Sequence, residues 1–218
     1  MTDSAQRESR WNRPAQQARS QATQDLLLDS AERLFGANGI DETSVQDVAA
    51  AAGRSIGSLY HHFDTKEVLV HAVMDRILSD VSDEMDLFFA PARWEGRNIE
   101  RIVRGYLRGT LGLDRSRPGY KRIGREASIS DPETRARYWA NRERVNEGLR
   151  NLLTERIDEI NHPTPALAIG LVIDQLTSMN AARVDRDYTP TELSDISDDD
   201  YVQLMLGGAL QILGIEAS

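Results

Sequence analysis

The chain has 218 residues, 40% of them hydrophobic and 28% charged, which is enough for one compact domain and a smaller second one. It contains no cysteine, which excludes disulfide bonds and thiolate metal sites and suits a reducing cytoplasm. Its net charge of −9 argues against nucleic acid as a partner, because affinity for DNA depends on neutralising phosphates.

The acidic residues are concentrated in one segment, which weakens that argument. Residues 185–200 contain seven acidic residues and one arginine, so they carry −6 of the total charge. Residues 1–20 instead contain four arginines against two acidic residues and have no apolar periodicity, which predicts a flexible basic arm. No apolar run is long enough for a signal peptide or a membrane span, so we expect a cytoplasmic protein without a membrane partner.

Apolar spacing predicts four helices in the N-terminal part of the chain. The first covers Thr23–Asn38 and ends at a glycine, the favoured residue for a left-handed C-terminal cap. The second begins at a capping box in which Thr43 or Ser44 pairs with Gln46 or Asp47.

The third and fourth predicted helices follow after very short connections. Gly53 breaks the second helix, and Ser55 is placed to cap the third. Lys66 or Glu67 opens a long fourth helix that runs to about Phe89. The inner face of the third helix consists of three apolar residues at helical spacing, Ile56, Leu59 and Phe63.

Beyond Pro91 the pattern predicts five more helices, without strand-like alternation or an internal repeat. Their ranges are Ile99–Leu113, Gly119–Ser128, Pro132–Ile160, Pro165–Arg183 and Asp199–Leu213. We therefore predict an all-α fold. After the arm, residues 21–66 would form a three-helix helix-turn-helix domain, and residues 67–218 a helical bundle.

Residues 44–66 meet the physical requirements of a helix-turn-helix, whose second helix lies in the major groove of DNA. Ala49 and Ala52 keep the first helix slim, and Gly53 gives the turn free access to positive φ. The second helix keeps small or polar residues for its outer face, namely Arg54, Ser55, Gly57, Ser58, His61 and His62.

The run G-I-D-E-T-S-V-Q-D-V-A-A-A-A-G-R-S-I-G-S-L-Y-H-H-F-D-T-K-E resembles the DNA-binding domain of the TetR family of transcriptional regulators. The similarity covers about residues 23–70 without gaps. Ile40 stands where the family usually has an aromatic residue, and Arg54 stands where it usually has valine. Because arginine is costly to bury, we expect Arg54 to extend outwards, towards a phosphate.

The resemblance implies a regulator, most commonly a repressor, that binds double-stranded palindromic operator DNA as a homodimer. It implies that Thr43 or Ser44 binds a phosphate at a helix N-terminus and that Lys66 pairs with another. The recognition helix would approach base edges with Ile56, Gly57 and Ser58. Its further predicted DNA contacts are Ser55, Tyr60, His61 and His62.

Other classes of function find less support in the sequence. Adjacent helical residues diverge by about 100°, so His61 and His62 do not chelate one ion, and we predict neither a metal nor a cofactor. The chain lacks the motifs of nucleophilic, phosphate-loop and zinc-peptidase catalysis, so we do not expect an enzyme. The acidic balance leaves open a helical ligand-binding or interaction module that does not bind DNA.

For the C-terminal bundle, the resemblance implies a ligand pocket among the middle helices and a dimer contact through the last two. Mixed aromatic, methionine and polar residues suit a small, mainly hydrophobic effector, and the candidates are Met74, Leu78, Met85, Phe88, Tyr106, Thr110, Trp139, Arg142 and Asn180. The dimer candidates are apolar or small: Leu167, Gly170, Ile173, Leu176, Leu204, Gly207, Gly208 and Gln211. Core packing within one subunit is the alternative for both sets.

The predicted switch follows from the length of the fourth helix, which runs from Lys66 to the first pocket candidates. We expect a bound effector to favour a state in which this helix tilts and moves the recognition helices out of register with the operator.

Overall fold

A computed structural model describes the backbone of residues 3–184 and 196–216. Side chains are described for residues 16–183 and 196–216. All regular structure in these ranges is helical, which confirms the all-α prediction. The helices are α1 Asp3–Asn38, α2 Val45–Ala51, α3 Ile56–His62, α4 Lys66–Phe89, α5 Pro91–Trp94, α6 Ile99–Ser116, α7 Tyr120–Ser130, α8 Pro132–Thr154, α9 Pro165–Val184 and α10 Asp198–Leu213.

Three of the helices differ from the sequence prediction. Helix α1 begins at Asp3 rather than at Thr23. Helix α8 ends at Thr154 rather than at Ile160. The short α5, which was not predicted, starts at a proline in the first helical turn.

A long-range contact explains why α8 ends early. Beyond Thr154, the guanidinium of Arg156 donates hydrogen bonds to the carbonyl oxygens of Trp94 and Arg97, both at 2.7 Å. These bonds hold the chain against α5, and it continues as a short 3₁₀ turn at Ile157–Glu159. Periodicity does not reveal such a partner, because it lies about sixty residues away in sequence.

The chain divides between Asp75 and Arg76 into two compact units, called here unit 1 and unit 2. In unit 1, α2 packs against both α1 and α3. Its interior is small and apolar, and includes Leu27, Ala31, Phe35, Val48, Ala49 and Leu59. Ala49 allows the two helices of the helix-turn-helix to pack closely, because its side chain ends at the β-carbon.

In unit 2, α7 packs on α8, α8 packs on α9, and α10 packs on both α6 and α9. One continuous apolar core fills the space between these helices, including Ile102, Leu107, Leu149, Leu153, Val172, Leu176, Leu206 and Leu213. The core also encloses a chain of polar contacts. The Tyr201 hydroxyl donates to Asn180 Oδ1 at 2.6 Å, and Asn180 Nδ2 donates to Thr110 Oγ1 at 3.1 Å.

Candidate nucleic-acid interface and effector cavity

Helix α2 begins at a reciprocal capping box. The Ser44 hydroxyl accepts a hydrogen bond from the Asp47 backbone N–H, and the Asp47 carboxylate accepts one from the Ser44 backbone N–H, both at 3.1 Å. The carboxylate also accepts the Ser44 hydroxyl proton at 2.6 Å, and these bonds lower the pKa of Asp47. Of the predicted alternatives, Ser44 is therefore the cap and Asp47 closes the box.

Thr43 faces the interior of unit 1. Its side chain is 1% exposed, and its hydroxyl donates to the carbonyl oxygen of Gly39 at 2.8 Å. A hydroxyl that is bonded inside the subunit does not reach a phosphate, so the prediction that the Thr43 side chain binds a phosphate is wrong. Ser44, which is half-buried at the surface, remains the candidate of the pair.

The turn and the start of α3 follow the predicted local signals. Gly53 has φ +63°, a conformation that L side chains rarely adopt. Ser55 then caps α3, because its hydroxyl accepts the backbone N–H of Ser58 at 3.1 Å. The two helices of the motif thus meet at a sharp turn.

Helix α3 has a buried face and an open face. Leu59 and Phe63 are buried, as the spacing predicts. Ile56 is 42% exposed, so the prediction that it lies on the inner face is wrong. Apolar spacing identifies a helix face but not how far along it the neighbouring helix extends. Exposed around Ile56 are Arg54, Ser55, Gly57, Tyr60 and His61, while Ser58 and His62 are half-buried.

The two predicted cations have only backbone partners. Arg54 is exposed, and its guanidinium donates to the carbonyl oxygen of Gly53 at 3.2 Å. Lys66 is half-buried at the start of α4, and its Nζ donates to the carbonyl oxygen of Asp41 at 3.4 Å. A hydrogen bond to a carbonyl does not neutralise a cation, so both side chains keep a positive charge that attracts a phosphate.

His61 and His62 are neighbours on α3, with ring centroids 5.3 Å apart in an edge-to-face arrangement. No group of three histidine or acidic side chains in the described part of the chain could hold a metal ion. Among the same residues, no helix is both long enough and apolar enough to cross a membrane.

The sequence model of the bacterial regulatory proteins of the tetR family matches residues 27–73, the segment that contains this helix-turn-helix. This segment of the chain is therefore similar to the DNA-binding region of TetR-family regulators. The chain is also similar to individual regulators over short stretches. It is 49% identical over 55 residues to the transcriptional repressor KstR2 of Rhodococcus jostii, covering 25% of this chain and 27% of that repressor. The chain spans about a quarter of the length of the first curated relatives it matches.

Solved structures of TetR-family regulators resemble this chain over most of its length. The structure of AibR with isovaleryl coenzyme A and operator DNA has a TM-score of 0.61 and 23% identity, covering 85% of this chain and 97% of AibR. FadR of Bacillus subtilis with stearoyl-CoA has a TM-score of 0.63 and 17% identity, covering 88% of this chain and 98% of FadR. At this level of identity, the likeness establishes the fold.

The pocket candidates are divided between the two units. Met74 lies in unit 1, whereas the other candidates lie in unit 2. In unit 2, Phe88 and Tyr106 are buried with ring centroids 6.2 Å apart, Met85 is buried and Leu78 is half-buried. Thr110 and Asn180 bond to each other inside the core, so their polar groups are already satisfied.

A cavity of about 290 Å³ lies between α7 and α8 instead. Of the predicted residues only Trp139 lines it, and Arg142 lies above the Trp139 ring, 5.3 Å from its centroid. The other lining residues were not predicted, and they are Arg125, Ser128, Ile129, Arg135 and Tyr138. The i, i+4 spacing of Arg135 with Trp139 and of Tyr138 with Arg142 is the signal that could have revealed them.

The last two helices carry an exposed apolar face. Leu167 and Leu204 are among the predicted residues on it, with 58% and 64% exposure, and Leu171 was missed. Gly207 and Gln211 are exposed beside them, and Gly170 and Gly208 are half-buried. Ile173 and Leu176 are fully buried in their own subunit, so the prediction that they form part of the dimer contact is wrong. The pattern of a helix that is apolar all round does not tell which side faces the core.

Proposed function

We propose that this chain is a TetR-family transcriptional repressor that binds operator DNA through α3. The observation that carries this proposal is the open face of α3, which is held outwards by a buried Leu59 and Phe63 and positioned by the capped turn at Gly53 and Ser55. The match to the family at residues 27–73 supports it.

The exposed residues divide by the DNA group that they suit. Ile56 offers an apolar contact to a thymine methyl, and Gly57 lets the helix backbone approach base edges. Ser44 and Ser55, at the N-termini of two helices, suit phosphate oxygens, as do Arg54 and Lys66. Ser58, Tyr60, His61 and His62 complete the proposed contacts of the recognition helix.

We propose a homodimer on a palindromic operator, joined through the exposed face of α9 and α10. Leu167, Leu171 and Leu204 are exposed large apolar side chains on two helices that pack together. A β-carbon at Gly207 would meet no atom within 4 Å, so this position leaves room for a partner helix. Two recognition helices about one DNA turn, roughly 34 Å, apart would then read the two half-sites.

We propose that a small-molecule effector releases the repressor from its operator. The neighbours AibR and FadR were each solved with a coenzyme A thioester, which supports an effector site in this fold. Helix α4 extends from Lys66 to Phe89, so a tilt of α4 caused by the effector would move the DNA-binding unit. The ligand would need to bind the released state more tightly than the DNA-bound state.

The DNA-binding proposal is tested by selecting genomic fragments with the purified full-length protein and measuring their affinity by fluorescence anisotropy. We expect Ser58→Glu and Lys66→Glu each to weaken binding about tenfold or more, because each places negative charge against the DNA. The dimer should survive both substitutions, which sedimentation velocity would verify.

Matched controls separate a local effect from a general change in charge. Thr154→Glu and Arg101→Glu make the same changes of charge on exposed positions of unit 2, and they should leave DNA affinity within about twofold. Unchanged affinity in Ser58→Glu and Lys66→Glu would show that α3 does not face the DNA. If no fragment is selected at all, a helical binding module becomes the better interpretation.

A further inference from the structure

The hairpin of α7 and α8 is basic, unlike the chain as a whole. Residues 120–154, which contain both helices, have eight lysines and arginines and five acidic residues, a net charge of +3 in a chain of −9. The cavity of about 290 Å³ lies in this hairpin and has an arginine from each helix in its wall, Arg125 and Arg135. Such a surface favours an anionic occupant.

Most half-buried arginines of unit 2 pair with a carboxylate. Arg104 is 2.7 Å from Glu100, Arg122 is 2.7 Å from Glu126, and Arg183 is 2.8 Å from Asp198. Lys121, which also lies in the hairpin, is matched by Asp114 at 2.8 Å. In these cases the chain itself supplies the negative charge that a partly buried cation requires.

Arg142 is different, because it forms no ion pair with any carboxylate among the described residues. Its guanidinium is half-buried and lies above the ring of Trp139, 5.3 Å from the ring centroid. Trp139 lines the cavity, so Arg142 adjoins the cavity through this wall. The cavity therefore has an uncompensated positive charge beside it.

The phenols around Arg142 stay protonated at neutral pH. Burial raises the pKa of Tyr106 to about 12, and Arg142 opposes that shift only in part. Burial also raises the pKa of Tyr138. Neither phenol therefore supplies a counter-charge to Arg142, and a phenol O–H is a hydrogen-bond donor for an anion.

The remaining walls suit an apolar body. Ile129 and Trp139 are 72% and 53% exposed, which is unusual for large apolar side chains, and both border the cavity. The ring of Tyr138 packs directly over Gly124, where any β-carbon would overlap it, so this wall requires glycine at that position of α7. The indole of Trp139 offers a flat surface on which a planar or alkyl group could lie.

We propose that the effector of this regulator is a small organic carboxylate, whose negative charge binds Arg142 and whose apolar body lies on Trp139 and Ile129. Guanidinium and carboxylate match in charge and in bidentate geometry, which gives the contact both strength and direction. This inference rests on the proposed function for its regulatory meaning, but the anion site itself does not depend on DNA binding.

The test compares three carboxylates with their uncharged amides on the full-length protein by isothermal titration calorimetry. The pairs are benzoate and benzamide, 1-naphthoate and 1-naphthamide, and octanoate and octanamide. We expect at least one carboxylate to bind tenfold or more tightly than its amide and to weaken operator binding at least fivefold. Arg142→Gln should abolish the preference for the acid, while Arg150→Gln, an exposed position on the same helix, should keep it.

Three results would overturn the proposal: no carboxylate binds, acid and amide bind equally, or Arg142→Gln keeps the preference. A changed oligomeric mass in Ile129→Glu, together with no carboxylate binding, would show that a second copy covers the cavity. If acids bind through Arg142 but the wild-type protein selects no DNA, the proposed function fails while the anion site stands. Binding without weaker operator affinity would overturn the role of the carboxylate as effector.

Discussion

The two units of the chain are stabilised by contacts of different range in sequence. In unit 1, the helix-turn-helix is bounded by interactions between near neighbours, such as Ser44 with Asp47 and Ser55 with Ser58, each three residues apart. In unit 2, key polar contacts join distant segments, as in Thr110 with Asn180, which are 70 residues apart. Local signals thus shape the proposed DNA-reading surface, and long-range packing shapes the proposed effector site.

This difference has a functional consequence. A recognition helix bounded by its own caps can keep its shape when the rest of the chain changes, so operator reading and effector choice can vary independently. The family model agrees with this division, because it matches residues 27–73, which lie in unit 1.

The largest expected effect sharpens the contrast between the two faces of α3. Leu59→Ala should lower the free energy of unfolding of unit 1 by about 2–5 kcal/mol, since Leu59 is fully buried and its truncation leaves a cavity. Hydrogen–deuterium exchange of peptides from residues 45–63 would measure the loss.

Ile56→Ala is the matched control for Leu59→Ala, because it makes a similar truncation on the exposed face of the same helix. We expect it to change stability by less than about 0.5 kcal/mol while weakening operator binding. Equal destabilisation by the two substitutions would contradict the assignment of the faces.

The next largest effect tests the long-range contacts of unit 2. Tyr201→Phe removes the donor to Asn180 Oδ1 inside the core and should cost about 1–3 kcal/mol in urea denaturation at fixed protein concentration. The same substitution at the exposed Tyr60 in unit 1 should be nearly neutral. A neutral Tyr201→Phe would mean that the buried polar chain does not stabilise unit 2.

The smallest effect concerns pH and the capping box of α2. Hydrogen bonds from Ser44 lower the pKa of Asp47 in the folded chain, so the bonded carboxylate stabilises unit 1 above the ordinary pKa of about 4. This contribution is lost as the pH falls through the lowered native pKa. We expect Asp47→Asn to reduce the stability of unit 1 at pH 7 and to flatten its dependence on pH in the acid range.

Hydrogen exchange of α2 peptides between pH 3 and pH 7, corrected for intrinsic exchange rates, would follow this effect. Asp64→Asn makes the same change of charge at an exposed position outside the helices and serves as the control. If both variants show the pH dependence of the wild type, the capping box contributes nothing measurable.

The amino-acid sequence alone determined the helical class, the motif at residues 44–66 and the cap at Ser55, and it limited the cap of α2 to Thr43 or Ser44. These features were predictable because capping and apolar periodicity act within three or four residues. The exposure of Ile56 and the burial of Thr43 were not, since each depends on where a neighbouring segment lies.

Only the tertiary structure decided which faces of the unit 2 helices are open. Ile173 and Leu167 look alike in a nearly all-apolar helix, yet one is buried in the core and the other is exposed. In the same way, the sequence marks Arg142 as a cation, but its lack of a carboxylate partner among the described residues depends on how α8 packs against its neighbours. Burial and ion pairing between distant segments are properties of packing, and no local pattern specifies them.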